Sequence, residues 1–418
     1  MKYLNFLSIF FLSFCLVLPV KSQAFLEADR TGGMSEIYIN GTRIKVEGGF
    51  IEWYEKNDIS IRAKGIEISL NIDNSQSEKD KSFNVIVGNI NPEITEVIGW
   101  AEGDIKKNVN KMILPVNVKS QKIAVYKLSP KTGDNNFKFM VFGESRGGEN
   151  VFKRILGDIN YRKPAFAISC GDMVEGPSSG AFKSFVKNIE TITVPFLTVP
   201  GSSEVGEGSR RNYEDIFGST YYSFNYKNTH FIVLDNGDGR ISEEQFVWLE
   251  NNLMQNKAVN TFVFMHLPPF DPRPGRPQLM KIAGQNMRLS SLFEKYNVSM
   301  VFTSGIHSYF KKEVNGVTYH ITGGGGSELA STDSFYNYII VEVAGDKVKE
   351  KLIKLTAPPV SWYSALSYKV KVYVKNSFQT HPVKSALLSI VSLLILSIFF
   401  RLFFDKLFKP SKKRRISI

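Results

Sequence analysis

Between residues 137 and 302 the chain repeats one pattern six times: a short, mainly apolar run, then a polar stretch. The runs are Phe137–Phe142, Ala165–Ser169, Pro195–Val199, Phe231–Leu234, Thr261–Met265 and Val298–Phe302. Runs this short, apolar without alternation, read as strands covered on both faces. Helical periodicity lies between them near 149–158, 179–190, 242–256 and 286–296. The third of these opens with Ser242 and Gln245 at capping-box spacing, then stripes Phe246, Leu249 and Leu253. Strands alternating with helices predict an α/β fold, whose functional residues collect at the carboxyl ends of the strands.

Upstream the pattern differs. Glu36–Ile39 and Thr42–Val46 flank Asn40-Gly41, a hairpin turn, and short β-like pieces recur at 59–61, 65–72, 83–87, 112–118 and 123–127. With no helical period there, an all-β sandwich is expected over 25–128, joined by the polar linker Ser129–Asp134 to an α/β unit over 137–356.

The ends belong to neither unit. Residues 1–24 have the form of a signal peptide: Lys2, the apolar run Phe6–Val20, then Ser22-Gln23-Ala24. Phe14 before Cys15 is a poor lipidation context. Ser385–Phe400 carries no charge, and at ~1.5 Å per residue it reaches roughly 24 Å. Letting Arg401 snorkel extends the expected transmembrane helix to 385–404. The basic tail, 405–418, then stays cytoplasmic, which puts the rest of the mature chain in a periplasm or on a cell surface. A lipid-anchor signal would not end in Lys412-Lys413-Arg414-Arg415. The juxtamembrane segment 357–384 includes an alternation, Tyr368–Lys375, that fits one more strand.

The net charge of +12 is concentrated in these ends, and about +4 remains between them, too little to point to nucleic acid. Apart from Cys15 in the expected signal, the one cysteine is Cys170, in a strand context, so no disulfide framework supports the fold.

Five strands run directly into loops rich in ligand-type residues: "FGESRGG" with Glu144 and Arg146, "CGDMVEG" with Asp172, "VPGSSE" with Ser202 and Ser203, "MHLPP" with His266, and "SGIHSYF" with His307. Carboxylates and imidazoles converging at strand ends suit a divalent metal. Each residue also has a plainer role open to it. Asp172 can cap the following segment, Arg146 can pair with Glu144 or Asp172, and His266 and His307 can be satisfied histidines at strand ends. His230 and His320 sit inside strand patterns and read as core or surface residues.

In order and wording these loops resemble the calcineurin-like metallophosphoesterases, particularly the secreted branch that includes purple acid phosphatases. The hairpin "TYYSFNYKNTHFIVLDN" and the glycine turn Gly323–Gly326 are similar to that family's too. The resemblance covers about 137–356 and implies a four-layer αββα sandwich, two metal ions and hydrolysis of phosphoric esters. It assigns Glu144, Asp172, Ser202, His266 and His307 to metal binding, and Arg146 and Ser203 to the catalytic positions.

The departures from the family pattern matter as much. Arg146 stands in place of a ligating histidine and cannot ligate, because guanidinium has no free lone pair. Ser202 and Ser203 replace asparagine and histidine, and the last loop has lost one of two histidines. Two readings follow. In one, two-ion catalysis is lost and the chain, a pseudoenzyme, binds a phosphorylated small molecule or a partner protein. In the other it is an active hydrolase with an altered one-ion site. With these departures the expected cofactor is a divalent metal (Fe, Zn or Mn), one ion rather than two, or no ion at all.

Overall fold

The computed structural model of the chain describes residues 29–30, 34–100, 103–131, 133–206, 210–276, 279–356, 370, 374, 377–378 and 381–407. The expected signal peptide, 1–24, and most of the basic tail lie outside them.

Two sheets stand face to face in the centre of the α/β part. One has the strand order Phe196–Thr198, Phe166–Ser169, Asn136–Phe142, Tyr336–Ala344, Lys347–Leu355. The other runs Tyr222–Tyr226, Thr229–Val233, Asn260–Phe264, Met300–Thr303, Val317–Thr322, Tyr309–Val314. Side-chain alternation explains the layering. Phe139 and Val141 point inward and share an apolar cluster with Phe231, Phe264 and Phe302 of the opposite sheet. Their neighbours Met140 and Phe142 point outward, to Ile155 of the helix Glu149–Arg162 and Phe185 of the helix Ser179–Ile189. On the far side Ile232 and Val263 meet Leu249 of the helix Glu243–Gln255 and Leu289 of the helix Gln285–Lys295. Both faces of both sheets are covered, which is why the strand sequences are apolar without alternation. The order is helix, sheet, sheet, helix.

Parallel pairing sets where the loops fall. Phe142 lies opposite Ser169, and Ser169 opposite Thr198. In the second sheet Val233 lies opposite Phe264, and Phe264 opposite Phe302. The loops that follow these strands therefore emerge together at one edge.

The upstream residues form a sheet of Asp29–Arg30, Gly49–Glu55, Asp58–Ala63, Lys81–Gly88, Lys111–Val118 and Lys106–Lys107, and a second of Glu36–Ile39, Thr42–Glu47, Ile68–Asp73, Ile123–Pro130 and Thr95–Ile98. One apolar cluster, with Ile44 and Leu70 from the second and Ile61 and Leu114 from the first, fills the space between them. Asn40 (φ 48°) and Gly41 (φ 83°) take the two left-handed positions that a tight two-residue hairpin needs. Buried Asn89 joins this part to the α/β sheets: its amide donates to Ala63 O and Phe196 O and accepts from Phe196 N.

Three local expectations need correction. Ser129 and Pro130 pair with Glu96 and Thr95, so the strand continues into what reads as linker. Ser242 caps its helix by accepting from Gln245 N, but Gln245 turns inward and bonds both backbone groups of Asp235 instead of closing the box. Val370 and Val374 are helical, so the alternation at 368–375 is not a strand at its described residues. Valines four apart also line one helix face, which is the pattern that won. Beyond them Pro382–Leu407 is a helix, of which Pro382–Arg401 is long and apolar enough to cross a membrane.

Candidate metal centre

Glu144 and Asp172 form the floor of the common edge, each with at most 1% of its surface exposed. Both are non-glycine residues in the left-handed region (φ 61° and 54°). Such backbone costs of the order of 1–3 kcal/mol and persists only where its surroundings fix it. Here the fixing is visible. Glu144 N donates to Gly171 O, and Ser145 N and Arg146 N both donate to Asp172 O. From the other side, Glu204 accepts four backbone N–H groups: Asp172 and Gly201 on one oxygen, Met173 and Val174 on the other, all at 2.8–3.0 Å. Burial and the neighbouring Asp172 charge push the Glu204 carboxyl up to about 7, against those N–H bonds. Gly171 (φ 94°) permits the close approach, because a Cβ there would lie 2.7 Å from Gly201 Cα and 2.8 Å from His266 Nδ1.

His266 closes the floor. Its Nδ1 lies 3.0 Å from Cys170 O, an acceptor only, so Nδ1 carries the proton. Ser304 donates to the same carbonyl. His266 Nε2 then faces Glu144 Oε1 at 3.8 Å and Asp172 Oδ1 at 3.6 Å. A neutral Nε2 lone pair aimed at two carboxylates is repulsive unless a positive species lies between them, a proton or a metal ion. Both carboxylate oxygens of Glu144 are buried; among the described residues Oε1 has no hydrogen-bond donor, and Oε2 faces His307 Nε2 at 2.9 Å. One ligand atom from each of Glu144, Asp172 and His266 falls within 4.8 Å of the others. Two carboxylates and an imidazole locked through its other nitrogen fit a divalent cation.

The remaining sequence candidates surround this trio. Ser202 Oγ donates to Asp172 at 3.0 Å, and Ser203 N donates to Asp172 Oδ1 at 2.8 Å. Burial acts to raise the Asp172 carboxyl, but neighbouring His266, the Arg146 charge and these two donors outweigh it and hold it below its ordinary value. Glu144 is shifted the other way, upward, chiefly by burial. His307 Nε2 lies 2.9 Å from Glu144 Oε2 and its Nδ1 2.6 Å from Glu328 O. Burial disfavours its charge, yet Glu144 raises it overall. Arg146 Nη2 lies 3.1 Å from Asp172 Oδ2, and Nη1 donates to Ser203 Oγ.

All seven residues singled out in the sequence therefore lie together, in a grouping that differs from the family pattern. His266, not His307, completes the three-atom set with Glu144 and Asp172, and Ser202 donates a hydrogen bond to Asp172. Sequence reasoning passed over Glu204, although its place three residues after Gly201 is the spacing of a capping carboxylate. It also missed Ser304 and Asn236; the latter accepts from both His266 N and Leu267 N. Cys170 is a buried thiol that burial pushes far up, as its strand context suggests.

At the shared edge of its two covered sheets the chain thus gathers the carboxylates and histidine of a candidate divalent-metal site. Its homologues and structural neighbours are calcineurin-like metallophosphoesterases. It is 24% identical over 159 residues to a probable glycerophosphodiester phosphodiesterase of Arcobacter nitrofigilis, a match covering 34% of this chain and 56% of that protein. It is 27% identical over 174 residues to purple acid phosphatase 13 of Arabidopsis thaliana, covering 34% of this chain and 31% of that one. The chain thus spans about half of the first relative and under a third of the second. Among solved structures, a purple acid phosphatase from yellow lupin seeds superposes over 74% of this chain and 72% of its own, with 14% identity and a TM-score of 0.46. No family model matches the chain.

Proposed function

We propose that this is a membrane-tethered protein of metallophosphoesterase fold that binds one divalent ion and a phosphate-bearing ligand or partner, with two-ion ester hydrolysis lost or strongly slowed. The buried cluster of Glu144, Asp172 and His266, one ligand atom of each within 4.8 Å of the others and the imidazole fixed through Nδ1 on Cys170 O, carries the reading. Glu144, Asp172 and His266 hold the ion, with His307 steadying Glu144. When bound, an ion of this kind polarises a phosphoryl oxygen and lowers the pKa of a coordinated water. The domains are a β-sandwich over 25–128 and the phosphoesterase unit over 137–356. The helix beginning at Pro382 is the anchor, and the folded part lies outside the cytoplasm.

A second reading, a slow one-ion hydrolase, is supported by Arg146. Its side chain is 31% exposed, against 1–2% for the three ion-facing groups, so it is open to a phosphate that it could grip with paired N–H groups. Elemental analysis of the purified chain after exposure to Zn²⁺, Mn²⁺ or Fe²⁺, with and without Asp172→Asn, tests the ion. Turnover of p-nitrophenyl phosphate separates the two readings. An ion in the wild type, lost in the variant, with no turnover above background, is the expected result. Wild-type protein that takes up no ion refutes the proposal.

A further inference from the structure

Asp172 has two oxygens, and they have different neighbours. Oδ1 faces His266 Nε2, the side on which the candidate ion sits. Oδ2 is met by Arg146 Nη2 at 3.1 Å. Arg146 is held from both ends. Its backbone N–H donates to Asp172 O and its carbonyl accepts from Ser327 Oγ. At the tip, Nη1 donates to Ser203 Oγ and Nε lies 3.8 Å from Glu144 Oε2. A permanent positive charge is thus fixed against both carboxylates of the ion set. It cannot join the ligands, since guanidinium keeps its proton and has no lone pair to give. A second cation approaching Asp172 Oδ2 would have to displace it.

We propose that Arg146 is a tethered cation that closes the Asp172 Oδ2 side of the site to metal, so that the side chain at position 146 sets how many ions the chain can hold. The inference rests on the one-ion reading above and adds the cause of the number. A guanidinium supplies the charge that would otherwise draw a second ion; Ser203 accepts from its tip, and Ser327 fixes the backbone that carries it. Histidine at the same position would offer a lone pair instead of a charge, and lysine would keep the charge.

The test uses the full chain in detergent, equilibrated with excess Mn²⁺ and desalted. The wild type and Arg146→Lys are expected to retain one ion and give a six-line paramagnetic resonance spectrum. Arg146→His is expected to retain two and give the broadened spectrum of a coupled pair. Arg146→Ala, which removes the charge and its contacts to Ser203 and Asp172 without adding a ligand, is expected to bind its first ion about tenfold more tightly, because a nearby like charge has gone. Two ions in the wild type overturn the inference. So does one ion in Arg146→His together with unchanged affinity in Arg146→Ala, and in that case the one-ion reading survives. No ion in any of the four chains removes both.

Discussion

Without a metal, burial costs the Glu144 carboxylate more than His307 and Arg146 return, so replacing it by glutamine has opposite effects with and without metal. In the folded chain the carboxylate is fully buried, its pKa raised mainly by burial and further by Asp172, with His307 as partial compensation. A buried charged group without full hydrogen bonding costs roughly 1–3 kcal/mol or more. Glutamine keeps the shape, can donate an amide N–H to His307 Nε2, whose Nδ1 proton is held by Glu328 O, and removes the charge facing Asp172. In EDTA, Glu144→Gln should therefore be more stable than the wild type by about 1–2 kcal/mol, a melting temperature higher by ~2–6 °C. Divalent metal reverses the order. At a hundredfold excess over its dissociation constant an ion adds about 2.7 kcal/mol to the chain that binds it. The variant, short of one ligand, should gain little. Thermal unfolding followed by tryptophan fluorescence, in EDTA and in Zn²⁺, measures both effects. A variant less stable than the wild type in EDTA, or one that responds to Zn²⁺ as the wild type does, would show that Glu144 is a structural acid and not an ion ligand.

Two other positions give independent checks. Glu204→Ala strands four buried N–H donors at about 1 kcal/mol or more each, so unfolding free energy should fall by ~4 kcal/mol; a loss under ~1 kcal/mol by urea titration would mean the segment 172–174 re-pairs without Glu204. His320 is fully buried on Phe302, with neither ring nitrogen hydrogen-bonded to a described residue, and burial lowers its pKa from 6.5 to about 4, Glu350 opposing and Lys311 assisting. A histidine held neutral in the fold stabilises above the unfolded pKa, and that contribution drains away as pH falls from about 6.5 towards 4. Between pH 7 and 5 the wild type should lose about 2 kcal/mol more than His320→Phe, and parallel pH profiles for the two proteins would refute it.

Much of the architecture was legible in the chain because it depends on local pattern. A strand covered on both faces must be apolar at consecutive positions, so the central strands announced themselves, and Asn40-Gly41 announced its hairpin. Where local patterns compete, sequence reasoning misread: valines at 370 and 374 suit a helix face as well as a strand, and Ser129 and Pro130 look like linker until Glu96 and Thr95 lie beside them. Gln245 has the capping spacing, yet the backbone of buried Asp235, ten residues earlier, offered it a better pair of bonds.

The sequence by itself determined which loops carry carboxylate, imidazole and guanidinium, and that they follow buried strands. Only the tertiary structure decided which of these groups meet. Glu144 joins His266 from across 122 positions because parallel registry aligns the strand ends and the two sheets share one edge. Glu204 and Arg146 gained their roles the same way. Periodicity is a property of neighbours along the chain, whereas a site assembled from separate loops is fixed by packing between distant segments, and no local pattern records that distance.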